Sequence, residues 1–368
     1  MNNIGNTVAR LLTLFLAGTG VSVVEGADVD WRSAQELLVE GQGWKDVAAP
    51  FDRLPARAEQ IVRKPVWDLS RQSAGLAVRF ASDSPVIHAR WTLTSANLAM
   101  PHMPATGVSG LDLYVRLPDG RWSWLANGRP AQVENNVTLV NEGPPGRHEY
   151  LVFLPLYNGV KSLEIGVSQG AILEAAAPRA SDRRKPIVFW GTSITQGGCA
   201  SRPGMVHTAI LGRRLDREVV NLGFSGNGKM EPELARLVAE IDAAAYVIDC
   251  LPNMSAAEVA ERTAPLVRIL REKRPTAPIL LVEDRTYSDA YWVASKRQRN
   301  DSSRAALKKV YDELSAAGTP HLHYVTGEQQ LGADAEGTVD SSHPTDLGFV
   351  RMADWFEEPL RKAMKTEN

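Results

Sequence analysis

The stretch Ile187-Val-Phe-Trp190-Gly191-Thr-Ser193-Ile-Thr-Gln-Gly197-Gly198 decides how the second half of the chain is read. Four apolar residues in succession, β-branched and aromatic, predict a strand buried on both faces, as parallel sheets require. The glycines that follow mark a sharp turn at the strand's end. In a parallel sheet with helices on both sides, function collects at the carboxyl ends of the strands. The serine of this Gly-x-Ser turn therefore stands where a nucleophile would stand, beside a run of backbone N–H groups.

Outward from this stretch the rhythm repeats. Apolar strands are predicted at 219–222, 246–250 and 279–283, with a shorter one at 323–325. Amphipathic helices are predicted between them at 206–215, 232–241, 256–274 and 303–317, the last closed by Gly318 where helices commonly end. Strand alternating with helix means a three-layer α/β/α unit around a parallel sheet. Upstream the texture differs. Short alternating or β-branched runs at 76–80, 86–91, 111–116, 122–124, 148–154 and 162–167 are separated by Pro118-Asp-Gly120 and Pro144-Pro-Gly146. They predict an antiparallel β-sandwich. A charged, proline-bearing stretch over 177–186 marks the seam.

The first residues read as a secretory signal: a polar start, an apolar run over 11–24, then small residues at Gly26 and Ala27. That run is too short and glycine-rich to cross a hydrocarbon core of about 30 Å, although a buried helix or an uncleaved anchor are the alternatives. The expected organisation is a signal over 1–26, a sandwich over 27–183 and an α/β unit over 184–368. Export to the periplasm or beyond follows, with no stable membrane insertion after cleavage. There, Cys199 and Cys250 either pair or remain buried thiols. Lys plus Arg at 41 against Asp plus Glu at 43 leaves a net charge of −2, which provides no field for a nucleic acid. Two cysteines make neither a disulfide scaffold nor a cysteine-rich zinc site.

A serine hydroxyl is inert near neutral pH without a base. Asp340-Ser-Ser-His343-Pro344, just ahead of a final helix, supplies an imidazole with a carboxylate three residues away, close enough to fix its tautomer. His88, His148, His321 and His323 lie in or beside predicted strands and His207 on a helical pattern, settings that suit structural or surface residues. Two other strand ends offer oxyanion donors: the glycine-rich loop Asn221-Leu-Gly223-Phe-Ser225-Gly226-Asn227-Gly228, and the Asn253 amide of Leu251-Pro-Asn253-Met254.

These four blocks, in this order over about residues 186–356, resemble the SGNH hydrolase superfamily, the GDSL-type esterases and lipases. The resemblance implies a flavodoxin-like fold with Ser193 as nucleophile, His343 as base and Asp340 as its orienting acid. It also implies an oxyanion hole of the Ser193 and Gly226 N–H groups and the Asn253 side chain. Gly226 is preferred to Gly223 because the family's donor glycine follows a serine-like position. Thr192 replaces the Asp of Gly-Asp-Ser-Leu, and Leu251 and Met254 stand where many members have Gly and Asp, which indicates an outlying branch. Gly110-Leu-Asp112-Leu-Tyr114 resembles the signature of a jelly-roll-like β-sandwich domain found N-terminal to one such branch.

The expected activity is hydrolysis of carboxylic esters, acetyl groups on a glycan foremost, through an acyl-enzyme. It needs no metal or organic cofactor, because nucleophile and activation are side chains. The expected partner is an acylated small molecule or glycan. Met100, His102, Tyr287 and Trp292 are candidate substrate contacts, with rim and core packing as the other reading. Transfer to an acceptor other than water, and glycan binding without catalysis, are the alternatives.

Overall fold

Residues 28–365 are described by a computed structural model of the chain, so the predicted signal over 1–26 lies outside the described residues. The N-terminal strands are β1 (Val29–Ser33), β2 (Leu38–Glu40), β3 (Ala77–Ser82), β4 (Ile87–Leu93), β5 (Leu111–Arg116), β6 (Trp122–Gly128), β7 (Glu134–Val140), β8 (His148–Phe153), β9 (Val160–Ser168) and β10 (Leu173–Ala175). They form two antiparallel sheets, β1-β9-β4-β7 and β10-β3-β8-β5-β6, with β2 paired to β3. β4 shows the strict alternation of a strand with one wet face, sending Ile87, Ala89, Trp91 and Leu93 into the core between the sheets. β3 is buried throughout. The outer face of its sheet is covered as well, with Tyr114, Leu151 and Phe153 packed against Ala209 of the α/β unit.

That unit contains β11 (Ile187–Gly191), β12 (Val219–Gly223), β13 (Ala245–Asp249), β14 (Ile279–Val282) and β15 (Leu322–Val325), all parallel, in the order β12-β11-β13-β14-β15. Each lies within a residue of its predicted span. The chain's helices are α1 (Lys64–Ser70), α2 (Ala105–Val108), α3 (Ser193–Gln196), α4 (His207–Leu215), α5 (Pro232–Val238), α6 (Ala256–Lys273), α7 (Ala294–Ala316) and α8 (Asp346–Lys365). Strand residues alternate between two cores. Val188, Trp190, Ile248 and Leu281 meet α5, α6 and α7 on one face, while Ile187, Phe189, Val247 and Leu280 meet α4 and α8 on the other. The chain runs from β11 outward to β12 and then crosses back to β13. β11 thus sits at the point where strand order reverses, and crevices of this kind hold ligands.

Beyond short unpredicted elements such as β1, β2 and β10, three differences from the sequence expectation matter most. α7 begins at Ala294 rather than at 303, because its first turns, Ala-Ser-Lys-Arg-Gln-Arg-Asn-Asp, carry no apolar stripe to announce them. β7, Glu-Asn-Asn-Val-Thr-Leu-Val, was not expected as a strand. Its polar first half masks the alternation. Most consequentially, Trp44, Leu54, Ala58, Val66 and Trp67 are buried with Val220, Leu222 and Leu234 in the α/β core, although they precede most of the sandwich in the chain. The buried Arg53 guanidinium fastens this segment by donating to the carbonyls of Asn221 (3.1 Å) and Gly223 (2.7 Å) in β12 and of Leu69 (2.7 Å).

The two units also meet at the Gly110–Tyr114 signature. The fully buried Asp112 carboxylate accepts from Arg202 Nη1 (2.7 Å), the Gly204 N–H (2.8 Å) and Trp124 Nε1 (2.8 Å), and Arg202 also donates to the Tyr114 hydroxyl. Burial pushes the Asp112 pKa up against the pull of Arg202. Cys199 and Cys250 are both buried free thiols.

Candidate active site

The crevice at the end of β11 is built from its turn upward. Thr192 caps α3, its hydroxyl oxygen accepting the Ile194 N–H at 3.3 Å. A threonine here does the capping that an aspartate would do, which accounts for the departure from Gly-Asp-Ser-Leu. α3 lasts one turn and stops at Gly197, whose φ of +115° is a conformation open chiefly to glycine. The Gly197 and Gly198 N–H groups then close on the Ser193 carbonyl at 2.9 and 2.7 Å. Ser193 is 8% exposed, at the mouth of the crevice.

His343 lies 150 positions further on, yet its Nε2 stands 2.8 Å from Ser193 Oγ. Its Nδ1 is 2.8 Å from Asp340 Oδ2. The other carboxylate oxygen, Oδ1, accepts the backbone N–H groups of His343 (2.7 Å) and Ser342 (3.0 Å). Partial burial would raise the Asp340 pKa, but these amides and the His343 ring outweigh it and hold the carboxyl below the usual range. An ionised Asp340 keeps the proton on Nδ1 and the Nε2 lone pair facing the serine hydroxyl.

On one side of β11 the β12 loop carries Gly226 at φ +69° with open space around its Cα, whereas a Cβ on Gly223 would meet the Gln196 amide nitrogen at 2.1 Å. Gly223 thus serves the close packing of β12 on α3, while Gly226 is free of such packing. On the other side, Asn253 sits in a short 3-10 turn after β13, where the Gly228 N–H donates to its Oδ1 at 3.2 Å. That bond sets the amide's rotation and leaves Nδ2 as the donor. Among the described residues, the Ser193 N–H, the Gly226 N–H and Asn253 Nδ2 donate to no protein acceptor. Unengaged donors on three strand-end loops are of the kind that suits a developing oxyanion.

The proposed substrate contacts separate in space. His102, from the sandwich, has its ring centroid 6.4 Å from that of His343, and Met100 is half-buried against the neighbouring core. Tyr287 is enclosed, between Arg285 at 5.2 Å and Lys296 at 5.8 Å from its centroid, with its hydroxyl accepting from Arg299 at 3.1 Å. Trp292 projects from the same loop, 84% exposed. Two residues were missed in sequence. The half-buried Tyr157 donates its hydroxyl to the Ser193 carbonyl at 3.2 Å, and Gln196 Oε1 accepts the Ser225 N–H at 3.0 Å, bracing the glycine loop. Gln196 follows the serine by three on a one-turn helix, a spacing that could have flagged it.

This fold and site define a serine hydrolase of the α/β/α class with a β-sandwich in front of it. The GDSL-like lipase/acylhydrolase family matches residues 184–361, and the GxDLY domain, the N-terminus of SGNH-hydrolase-type esterases, matches residues 29–173. A GDSL-like lipase from Bacteroides ovatus shares 36% identity with a TM-score of 0.86, covering 92% of this chain and 98% of that one. The chain belongs to the GDSL-like lipase/acylhydrolase family. Two more distant structures share the fold. The salicylyl-acyltransferase SsfX3 of a tetracycline biosynthetic pathway is 20% identical with a TM-score of 0.70, covering 91% of this chain and 97% of its own. A family two carbohydrate esterase from Clostridium thermocellum, solved with cellohexaose, is 15% identical with a TM-score of 0.57, covering 79% and 93%. No curated protein matches the chain.

Proposed function

We propose that the protein hydrolyses acetyl esters of a carbohydrate. The observation that carries the mechanism is the Ser193 Oγ to His343 Nε2 contact of 2.8 Å with Asp340 on the ring's other nitrogen. His343 takes the hydroxyl proton as Ser193 Oγ bonds to the ester carbonyl carbon, and the negative charge moves to the carbonyl oxygen between the Ser193 and Gly226 amides and Asn253 Nδ2. The imidazolium then protonates the departing sugar alkoxide as the C–O bond breaks. Water, deprotonated by the same ring, releases acetate and restores the serine.

Two observations support the glycan reading: the ring of His102 brings the sandwich to the edge of the triad, and Trp292 with Tyr291 offers exposed aromatic faces nearby. Aromatic rings with a polar edge suit the mixed apolar and hydroxylated faces of a sugar. The fold shared with a carbohydrate esterase points the same way by analogy. Hydrolysis is preferred to transfer because the His343 and Asp340 side chains are 28% and 49% exposed, so water reaches the base. Action outside the cytoplasm belongs to the same proposal. Among the described residues no helix is long and apolar enough to cross a membrane.

The test is acetate release from a panel of acetylated polysaccharides and from a small acetyl ester. Ser193→Ala is expected to abolish both with the circular dichroism spectrum unchanged; turnover persisting in that variant would refute the serine mechanism. Products formed with added alcohols distinguish hydrolysis from acyl transfer.

A further inference from the structure

The loop that carries the acid and the base has little structure of its own. It closes by one bridge between Thr338 and Pro344, and Ser341 adopts φ +71°, a conformation disfavoured for a residue with a side chain. Something outside the loop must hold it. Arg285, three residues past the end of β14, is 2% exposed and spends two of its three guanidinium nitrogens there. Nη1 donates to the fully buried Asp284 carboxylate, while Nε donates to the Ser342 carbonyl at 3.1 Å and Nη2 to the Ser342 hydroxyl. Ser342 is the residue between Ser341 and His343, and its own N–H is one of the two on Asp340 Oδ1. The same β14–α7 loop and the first turn of α7 grip Ser341 from the other side, through the Ser288 N–H on its carbonyl (3.0 Å) and Lys296 Nζ on its hydroxyl (2.6 Å).

We infer that Arg285 is a positioning residue, whose fork on Ser342 sets the Asp340–His343 pair in line with Ser193. The assignment rests on the serine mechanism above and adds to it a residue outside the triad. A planar guanidinium reaches a carbonyl, a hydroxyl and a carboxylate together; an ammonium on a flexible stem does not hold that geometry. Burying the charge is tolerated because Asp284 neutralises it. Both groups are buried away from the crevice surface, so the consequence falls on the chemical step and not on binding.

The experiment compares wild type with Arg285→Lys, Arg285→Met and the double variant Asp284→Asn/Arg285→Met, which removes both charges of the buried pair together and guards against simple unfolding. kcat and KM on a small acetyl ester are measured per site titrated by a fluorophosphonate, alongside melting curves. The expected result is a kcat at least tenfold lower in Arg285→Met and in the double variant, KM within twofold of wild type, and a fluorophosphonate labelling rate reduced in parallel. Arg285→Lys is expected to recover only part of the loss. A folded double variant with kcat within twofold of wild type would overturn the inference, as would a loss confined to KM or full recovery by lysine. If wild-type Ser193 takes no label, the serine mechanism itself falls, a result separate from labelled enzyme that is indifferent to Arg285.

Discussion

Replacing Asp340 by asparagine tests the logic of the triad with almost no change in shape. Asp340 Oδ1 accepts two backbone N–H groups, from His343 and Ser342, and Oδ2 faces His343 Nδ1. An asparagine must keep its carbonyl oxygen on those two amides, since the opposite rotation would set its NH2 against two donors. The NH2 group then faces Nδ1, which can only accept, so the ring's proton moves to Nε2 and points at Ser193 Oγ. The base is lost. Recovering the working tautomer means turning the amide and stranding two N–H groups, at roughly 1–3 kcal/mol each. At about 1.4 kcal/mol per decade, the expected loss in kcat is between about thirtyfold and about 10⁴-fold, and the upper end matches the fall of about 10⁴ known for this substitution in a serine protease triad. The assay is kcat on a small acetyl ester per folded enzyme, with KM and the melting temperature expected near wild type. Asp340→Ala should differ, because it leaves both amides without an acceptor and loosens the loop, lowering the melting temperature as well. A kcat for Asp340→Asn within fivefold of wild type would show that the carboxylate does not set the tautomer, and the mechanism would have to be rebuilt.

Two further outcomes follow from the same geometry. Asn253→Ala removes a side-chain donor while leaving Ser193 and His343 in place, and should lower kcat by about 10²- to 10³-fold with little change in KM; an unchanged kcat would remove Asn253 from the oxyanion hole. His207 is stacked on Phe349 and Phe356 with both ring nitrogens buried and unbonded, and burial pushes its pKa down to about 3. The unfolded chain binds a proton near pH 6.5 that the folded chain refuses, so the stability from its neutral form is complete above that value and declines as pH falls toward 3. At pH 5 the decline is about 2 kcal/mol. His207→Leu should therefore flatten the acid limb of a urea-unfolding series between pH 7 and pH 5, and parallel limbs for the two proteins would contradict the account.

Local pattern carried a large part of this molecule. The parallel strands were legible because a strand buried on both faces is mostly apolar, and β11 to β15 are short apolar runs, broken only by Asn221 in β12, Asp249 at the end of β13 and His323 in β15. Ser193, Asn253 and the Asp340–His343 pair were legible because chemistry in such a sheet gathers at strand ends, and strand ends are marked by glycine, asparagine and proline. Elements defined by what covers them were not. The first turns of α7 are polar on the sequence and become helix by continuing one that buries Leu307, Val310 and Leu314. Trp44, Leu54, Ala58, Val66 and Trp67 belong to no predicted element, and are built into the α/β core.

Periodicity is a property of neighbours in the chain, so the sequence by itself determined the strands and most helical turns of the α/β unit, the alternation of its layers, and which side chains could do chemistry. Whether a hydroxyl and an imidazole 150 positions apart meet at 2.8 Å is decided by strand order and by the contacts that hold loops with no regular structure. Only the tertiary structure shows β11 lying between β12 and β13, the Arg285 fork on Ser342, and the Asp112–Arg202 clasp that brings the sandwich to the site. Those are contacts between distant segments, and no local period encodes them.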